Sequence, residues 1–270
     1  MSIVTVVGML AGVACIVISI MTSGNIMDFF DPGSIFITIG GTLCATIASS
    51  SVERLRRLMK ALKIAMRNQP IDLNQDIEVI TNIASVARRD GLLALEEQAE
   101  NMKDPFLKKA IMLVVDGSDP ELIQSVLDTE LSMTKARHAE IRAILDAAAA
   151  YAPGFGMIGT LIGLINMLKN LSDMSSLGSN MSVALITTFY GSMLANLVFG
   201  PLSKRLKTLG EKEYLQKELL IDGVLAIQNG ENPRIIKEKL NSYLPREDTE
   251  RKGGAAKNAE RAASAEDART

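Results

Sequence analysis

The segment Pro153–Leu168, PGFGMIGTLIGLINML, contains no charged side chain and repeats glycine at short intervals. It lies within a longer charge-free interval from Ala147 to Leu168. About 20 helical residues are enough to cross the hydrocarbon core of a bilayer. The segment is therefore predicted to be a transmembrane helix, and its small residues are typical of helices that approach a neighbour closely in lipid.

Three further intervals lack Asp, Glu, Lys and Arg and are also long enough to span a bilayer: Ile3–Met21, Pro32–Val52 and Met174–Ser203. A signal peptide is the alternative for the first interval, but no basic residues precede it and it is long for such a segment. A buried soluble helix is the alternative for the second, whose Gly40, Gly41 and Thr42 suit helix contacts in lipid. We therefore predict an all-α integral membrane protein with four transmembrane helices. Its third and fourth helices are predicted to extend into a helical cytoplasmic domain.

Basic residues flank the four intervals unevenly. The second interval is followed by Arg54, Arg56, Arg57, Lys60, Lys63 and Arg67, and the fourth by Lys204, Arg205 and Lys207. The short loop between the first two intervals has no basic residue, and the loop between the last two has only Lys169. Because cytoplasmic loops are rich in Lys and Arg, both termini and the long middle segment are predicted to lie inside. The expected location is the bacterial inner membrane.

These intervals divide the chain into five predicted parts. Transmembrane helices 1 and 2 occupy residues 1–52, a cytoplasmic helical domain 53–146, and transmembrane helices 3 and 4 147–203. C-terminal cytoplasmic helices occupy 204–245. The tail 246–270 has almost no apolar residue larger than alanine, which predicts disorder.

Cap and breaker residues mark helix ends in the polar segments. Pro70 is predicted to begin a helix that ends at Gly91. An N-cap residue followed by proline, which favours a helix start, occurs three times: Asp104-Pro105, Asp119-Pro120 and Asn232-Pro233. The helix that begins at Pro120 meets no breaker before Pro153, so it is predicted to run into the third span. The fourth span is predicted to continue to a helix end near Gly230.

The sequence offers no catalytic set. The net charge is −2, which does not indicate a nucleic-acid partner. The single histidine, His138, has no second ligand at metal-binding spacing, and there is no glycine-rich phosphate loop. Cys15 and Cys44 lie in apolar runs and are predicted to be small buried residues that form neither a disulfide nor a metal site. We expect no enzymatic activity and no cofactor.

None of the four spans contains Asp, Glu, Lys, Arg or His, although proteins that carry ions through lipid usually need one of these residues. Either the chain moves no ions or a partner supplies the carboxylate. One face of the third span is small and polar, at Pro153, Gly156, Thr160 and Gly163. A similar set lies on the fourth span, at Thr188, Gly191, Ser192, Ala195 and Asn196. Such faces serve close helix packing or an ion path, and packing is the commoner use.

Two prolines and one charged cluster complete the candidate residues. Pro153 and Pro201 lie near the cytoplasmic ends of spans three and four, where each can cause a local bend or act as a hinge. Arg88 and Arg89 precede Gly91, and Glu96, Glu97 and Glu100 follow it. Such charges are by default a solvated face, but opposite charges on one surface can also orient a partner.

Four segments resemble the flagellar motor stator A-subunits, the family of MotA and PomA: Ala87–Glu97 (ARRDGLLALEE), Pro153–Leu168, Val183–Pro201 (VALITTFYGSMLANLVFGP) and Asp222–Pro233 (DGVLAIQNGENP). The resemblance covers residues 1 to about 245. It implies a pentamer around two helices of a B-subunit of the MotB or PomB kind, whose aspartate carries the ion. It also implies that the cytoplasmic domain drives the rotor protein FliG.

Carried onto this chain, the resemblance implies roles for particular residues. Arg88 and Glu96 match rotor-contact charges, with Arg89 and Glu97 as neighbouring candidates. Pro153 and Pro201 match two prolines tied to coupling. Thr160 and Thr188 match threonines that line the ion path of sodium-type members. Hydroxyl oxygens suit a hard cation, so the sequence favours sodium over protons.

Three other functions compete with the stator. An energiser of the ExbB or TolQ type shares the last two spans, but such proteins have three spans and an external N-terminus. A self-contained secondary transporter is disfavoured by the missing intramembrane charge. A non-conducting membrane scaffold would tolerate valine at Thr160 and Thr188, where a motor would stall.

Overall fold

The computed structural model describes residues 3–66, 71–172 and 174–244, and no strand occurs in those ranges. The prediction of an all-α protein is confirmed. The tail 246–270 and the predicted helix start at Pro70 lie outside the described residues. The α-helices in the described ranges are α1 (Ile3–Ser23), α2 (Pro32–Ile35), α3 (Gly41–Ala48), α4 (Val52–Met66), α5 (Leu73–Asp90), α6 (Leu95–Glu100), α7 (Pro105–Val115), α8 (Pro120–Lys169), α9 (Met174–Met193), α10 (Gly200–Gln228) and α11 (Pro233–Asn241).

The chain divides into two compact units. The first, called the apolar unit, comprises Met1–Gln69 and Lys135–Gly210. The second, called the polar unit, comprises Pro70–Thr134 and Glu211–Thr270. The long helices α8 and α10 each contribute residues to both units, as the sequence predicts for helices that leave the membrane.

Two helices are long and apolar enough to cross a membrane, Pro120–Lys169 and Leu177–Gln228. A third candidate is the pair Pro32–Ala48 and Val52–Ala65, which are bent by 116° relative to each other. Val7–Thr22 is a shorter apolar helix. The predicted third and fourth spans are therefore found, with the continuations expected for them, and the count of four stays a prediction.

The charge-free interval Pro32–Val52 is longer than the helix within it. Helix α3 ends at Ala48, and α4 begins only after the bend. Three serines, 49–51, fill the break, and the N–H of Arg54 in the first turn of α4 lies 3.4 Å from the Ser51 hydroxyl. The absence of charged residues alone does not show where a helix ends, because a serine within a charge-free interval can cap a new helix.

A line of buried hydroxyls explains how the second span packs. Ser34, Thr38, Thr42 and Thr46 recur every fourth residue, and all four are buried. The hydroxyls of Thr42 and Thr46 donate to carbonyl oxygens one turn earlier, at 2.6 and 2.7 Å, so they are satisfied without water. Small hydroxyl side chains allow close approach in lipid, which agrees with the predicted helix contact.

The two cysteines correct another prediction. Cys15 and Cys44 are free thiols as expected, but both are exposed, not buried. They lie on outward faces of α1 and α3, among exposed apolar side chains such as Leu43 and Ile47. In a membrane protein the apolar sequence around a cysteine indicates lipid as readily as a protein core, so apolar context does not predict burial within the chain.

Two of the predicted cap residues start helices of the polar unit. Asp104 accepts the N–H of Phe106 at 2.9 Å and starts α7, while Asn232 accepts the N–H of Arg234 at 3.0 Å and starts α11. Helix α5 begins at Leu73 because Asp72 caps it through the N–H of Asn74, at 3.0 Å. The short helix α6 has no cap signal and was not predicted.

The polar unit has its own hydrophobic core. Apolar side chains of α5, α7, α10 and α11 are fully buried there, among them Ile80, Ile111, Leu219 and Leu240. At Gly223 a Cβ would lie only 2.8 Å from Ile80 Cγ2, so this glycine lets α10 approach α5. Burial of several such side chains supplies most of the stability of a helical unit.

Asp76 is a half-buried carboxyl at the edge of this core, and replacing it with asparagine is expected to stabilise the protein at neutral pH. Burial raises its pKa above 3.8, and Asp104 and Asp72 add to this, although the Gln216 amide donates a hydrogen bond to it at 2.8 Å. A raised pKa means that Asp76 favours folding below pH 3.8 and that this contribution is lost as pH rises through the folded value.

Asp76→Asn removes the buried charge and keeps an oxygen for Gln216. The melting temperature of the purified protein should exceed that of wild type at neutral pH, and the difference should vanish towards about pH 4. Circular dichroism suits the measurement because the chain has no tryptophan. A variant that melts lower than wild type at neutral pH would contradict the assignment.

Candidate ion path and charged surface

Helices α8 and α9 pack through glycines on the predicted small face. A Cβ on Gly156 would lie 2.9 Å from the Thr187 carbonyl oxygen, and one on Gly163 would lie 2.7 Å from that of Asn180. On the other helix, a Cβ on Gly191 would lie 2.5 Å from the carbonyl oxygen of Ala152. The packing interpretation of this face is therefore confirmed for its glycines.

Thr160 and Thr188 meet within this contact. Their hydroxyl oxygens are 2.5 Å apart, and the Thr160 hydroxyl also lies 3.0 Å from the carbonyl oxygen of Ala184. Thr160 is half-buried and Thr188 is exposed, so the pair is open on one side of the helix pair. The structure thus brings together the two threonines that the sequence placed on different spans.

The oxygen atoms around this pair outnumber the hydroxyl protons that can be donated to them. The carbonyl of Gly156 is 3.1 Å from the Thr160 hydroxyl, which gives two hydroxyl and two carbonyl oxygens for two hydroxyl protons. Such a cluster can present lone pairs to a hard cation or pass a proton between hydroxyls. In the described part of the chain no three His, Cys, Asp or Glu side chains are grouped as metal ligands.

The two predicted coupling prolines have different surroundings. Pro153 lies inside α8, which continues through it without a break, and its ring is exposed. Pro201 lies in the first turn of α10, directly after a π-helical segment, Leu194–Phe199. The Gly200 N–H donates to the Ala195 carbonyl, five residues back. A wider turn ahead of a proline is one way to accommodate the ring and the missing N–H.

The predicted charged cluster lies on the polar unit, at the end of α5 and the start of α6. Arg88, Arg89, Glu96 and Glu97 are all exposed. Arg89 is paired with Asp90 at 2.8 Å, which raises the pKa of Arg89 and lowers that of Asp90. Within the described part of the chain, Arg88, Glu96 and Glu97 form no ion pair. The charges of Arg88, Glu96 and Glu97 are therefore available to a partner protein, whereas the charge of Arg89 is neutralised by Asp90.

The turn between these helices depends on Gly91. Its φ of 88° and ψ of 167° are in a region that only glycine adopts without strain. This turn exposes Leu93, 75% of which is accessible to solvent, between the basic and acidic residues. Sequence reasoning missed Leu93 because a leucine within the apolar run Leu92–Leu95 normally indicates a core residue. An exposed apolar residue among charges is typical of a protein contact surface.

The comparisons with known proteins agree with this arrangement. The MotA/TolQ/ExbB proton channel family matches residues 98–219. Motility protein A of Borreliella burgdorferi is 40% identical over 249 residues, which cover 92% of this chain and 96% of that protein. Chemotaxis protein PomA of Vibrio alginolyticus is 37% identical over 250 residues, 90% of this chain and 96% of that protein.

A solved structure has the same fold. The flagellar MotAB stator complex from Bacillus subtilis matches with a TM-score of 0.84 at 28% identity, over 93% of this chain and 98% of that one. Because relatives named motility protein A align over almost their whole length, the energiser alternative is disfavoured. The chain therefore belongs to the motility protein A family, the A-subunits of flagellar motor stators.

Proposed function

We propose that this chain conducts ions, together with a B-subunit, across the bacterial cytoplasmic membrane and transmits the resulting torque to the rotor. The observation that carries the proposal is the hydroxyl pair Thr160–Thr188, at 2.5 Å, open on one side of two spans that contain no Asp, Glu, Lys, Arg or His. An ion path in lipid needs a charged group to compensate the ion. The open side is where a partner would bring one.

The partner inferred is a membrane protein that supplies an aspartate beside the two threonines. The Bacillus subtilis neighbour is a MotAB stator complex, which supports a MotB-like B-subunit for this chain. By family resemblance the assembly is a pentamer of this chain around two B-subunit helices, and FliG is the rotor protein contacted. The basic residues after α3 and in α10 support cytoplasmic termini.

The experiment that tests the function is the swimming speed of cells with this chain and its B-subunit, as external sodium is varied at fixed pH. A protonophore is added in a separate series. Speed that follows sodium and survives the protonophore identifies a sodium motor. Speed that ignores sodium and collapses with the protonophore identifies a proton motor. Cells that do not swim, with the protein correctly inserted, would refute the stator assignment.

Thr160→Val should abolish swimming in the same strain, because a methyl group replaces the hydroxyl oxygen shared with Thr188 and Ala184. Thr160→Ser keeps that oxygen and is the matched control, expected to restore much of the speed. Membrane levels of both variants are measured by immunoblot of membrane fractions. Normal swimming with Thr160→Val and Thr188→Val would favour the scaffold alternative.

A further inference from the structure

A second polar contact joins the two long helices on the cytoplasmic side of the threonine pair. The buried hydroxyl of Ser203, on α10, donates a hydrogen bond to Oδ1 of Asp146 on α8. The other carboxylate oxygen lies 3.6 Å from Nε of Arg142, one turn away. The Asp146 side chain is 56% exposed, so the carboxylate is held in place and still open to solvent.

The register of the helices places this contact below the threonines. Asp146, Pro153 and Thr160 follow one another at intervals of seven residues, which is two helical turns, so they lie along one face of α8. The fourteen residues from Asp146 to Thr160 correspond to about 21 Å along the helix. Thr188 of α9 and Ser203 of α10 belong to the continuous helix Leu177–Gln228, in which they are fifteen residues apart.

The separation of Thr188 and Ser203 is one residue longer than that of Asp146 and Thr160, and the π-helical segment Leu194–Phe199 accommodates this extra residue. In a regular α-helix each residue adds a rotation of about 100°. A separation of fifteen residues would therefore place Ser203 about 100° further around the helix axis from Thr188 than a separation of fourteen. A π turn takes in one more residue than an α turn. It therefore restores the register, and Ser203 faces Asp146 as Thr188 faces Thr160. Both helices thus keep one continuous face over this distance.

Asp146 is also the first ionisable residue on α8 on the cytoplasmic side of the charge-free interval. The corresponding end of the fourth span carries Lys204, Arg205 and Lys207. A cation that leaves the membrane there must pass these basic side chains, which repel it. A carboxylate at the opening lowers that electrostatic barrier. Glu140, another acidic residue of this region, lies six residues earlier on a different face of α8, where its carboxylate is 3.6 Å from Arg54.

We propose that Asp146, positioned by Ser203, is the cytoplasmic exit site that receives the cation after it leaves Thr160 and Thr188. This inference rests on the proposed ion-conducting function. A sodium ion would exchange hydroxyl and partner oxygens for the Asp146 carboxylate and then for water, whereas a proton would protonate that carboxylate and then pass to water. The carboxylate attracts a cation, which competes with Arg142 for it.

The test uses single motors that contain each variant with its B-subunit. Rotation is measured with a small bead at low load and with a large bead near stall. Near stall the torque is set by the ion-motive force, whereas at low load the speed is limited by how fast ions pass. Asp146→Asn, which removes the charge and keeps the shape, should lower the low-load speed by about tenfold, the lower range of electrostatic rate effects. Its stall torque should be retained.

Asp146→Glu keeps the carboxylate and should recover most of the speed. Ser203→Ala should lose less speed than Asp146→Asn because the charge remains. Glu140→Gln removes one carboxylate from another face of the same helix and is the control for general surface charge. Equal low-load speeds for wild type and Asp146→Asn would overturn the proposal. So would an equal loss in Ser203→Ala or Glu140→Gln, or a stall torque that falls with the speed.

The controls separate this inference from the proposed function. If wild type drives rotation and Thr160→Val stops it while Asp146→Asn is normal, only the exit site is refuted. If wild type together with its B-subunit drives no rotation, the ion-conducting function fails and the exit site fails with it.

Discussion

Cells that carry Gly191→Val are expected to be non-motile, although the protein still reaches the membrane. At this position a Cβ would lie 2.5 Å from the carbonyl oxygen of Ala152 and 3.2 Å from Pro153 Cα. Both are backbone atoms, so no side-chain rotation can relieve the clash. The helices must separate, at an overpacking cost of about 1–3 kcal/mol.

Separation of α8 from α9 would also open the contact between Thr160 and Thr188. These hydroxyls are 2.5 Å apart, and a displacement of about 1 Å takes them beyond hydrogen-bond distance. Gly191→Ala adds only the Cβ and should give an intermediate swimming speed. The measurement is swimming speed together with the melting temperature of the purified protein.

Gly154→Ala is the matched control, because a Cβ at Gly154 meets no atom of the described chain within 4 Å. This glycine is adjacent to Pro153 on α8, so it tests the helix that Gly191 contacts, at the same depth. The expected order of speeds is Gly154→Ala, then Gly191→Ala, then Gly191→Val. Normal motility of Gly191→Val would show that α8 and α9 do not depend on this close approach.

The cap residues show what could be predicted from sequence. Asp104 and Asn232 act on backbone N–H groups within two residues of themselves, so their effect is encoded locally. The long continuations of α8 and α10 were predictable for a related reason, since no strong breaker interrupts them outside the prolines. Length and the lack of charge were enough to locate the last two spans.

Features that depend on two helices at once were not predictable. The π segment before Pro201 changes the register of Ser203, and no residue within Leu194–Phe199 announces it. The Thr160–Thr188 contact depends on where glycines let the helices meet, which is a tertiary property. The exposure of Leu93 likewise follows from the turn at Gly91 and not from the hydrophobicity of leucine.

Reversing one charge on the surface around Gly91 is expected to reduce torque without changing ion passage. Arg88 is exposed and unpaired in the described part of the chain, and Glu96 is exposed across the turn at Gly91. Exposed charge pairs contribute on the order of 0.2–1 kcal/mol each, so a lost contact corresponds to up to about a fivefold weaker association. Reversal adds repulsion to that loss, and complementary charges also govern the rate of encounter.

Arg88→Glu and Glu96→Lys should each lower stall torque about two- to fivefold in bead assays, while ion flux and membrane level stay normal. Arg89→Glu should have a smaller effect, because Arg89 is already neutralised by Asp90 at 2.8 Å. Glu121→Lys is the surface control, since Glu121 is exposed on the same unit in the first turn of α8. Leu93→Asp tests the apolar centre of the surface and should act in the same direction as the two reversals.

This pattern differs from the one expected at the ion exit. Loss of a rotor contact weakens force at high load, whereas loss of Asp146 slows the motor at low load. The two sets of variants therefore separate transmission from ion transit within one assay. If Arg88→Glu and Glu96→Lys both leave stall torque at the wild-type value, the charges around Gly91 are a solvated face that also complements the ends of α5 and α6. The rotor contact would then have to lie on another surface of the polar unit.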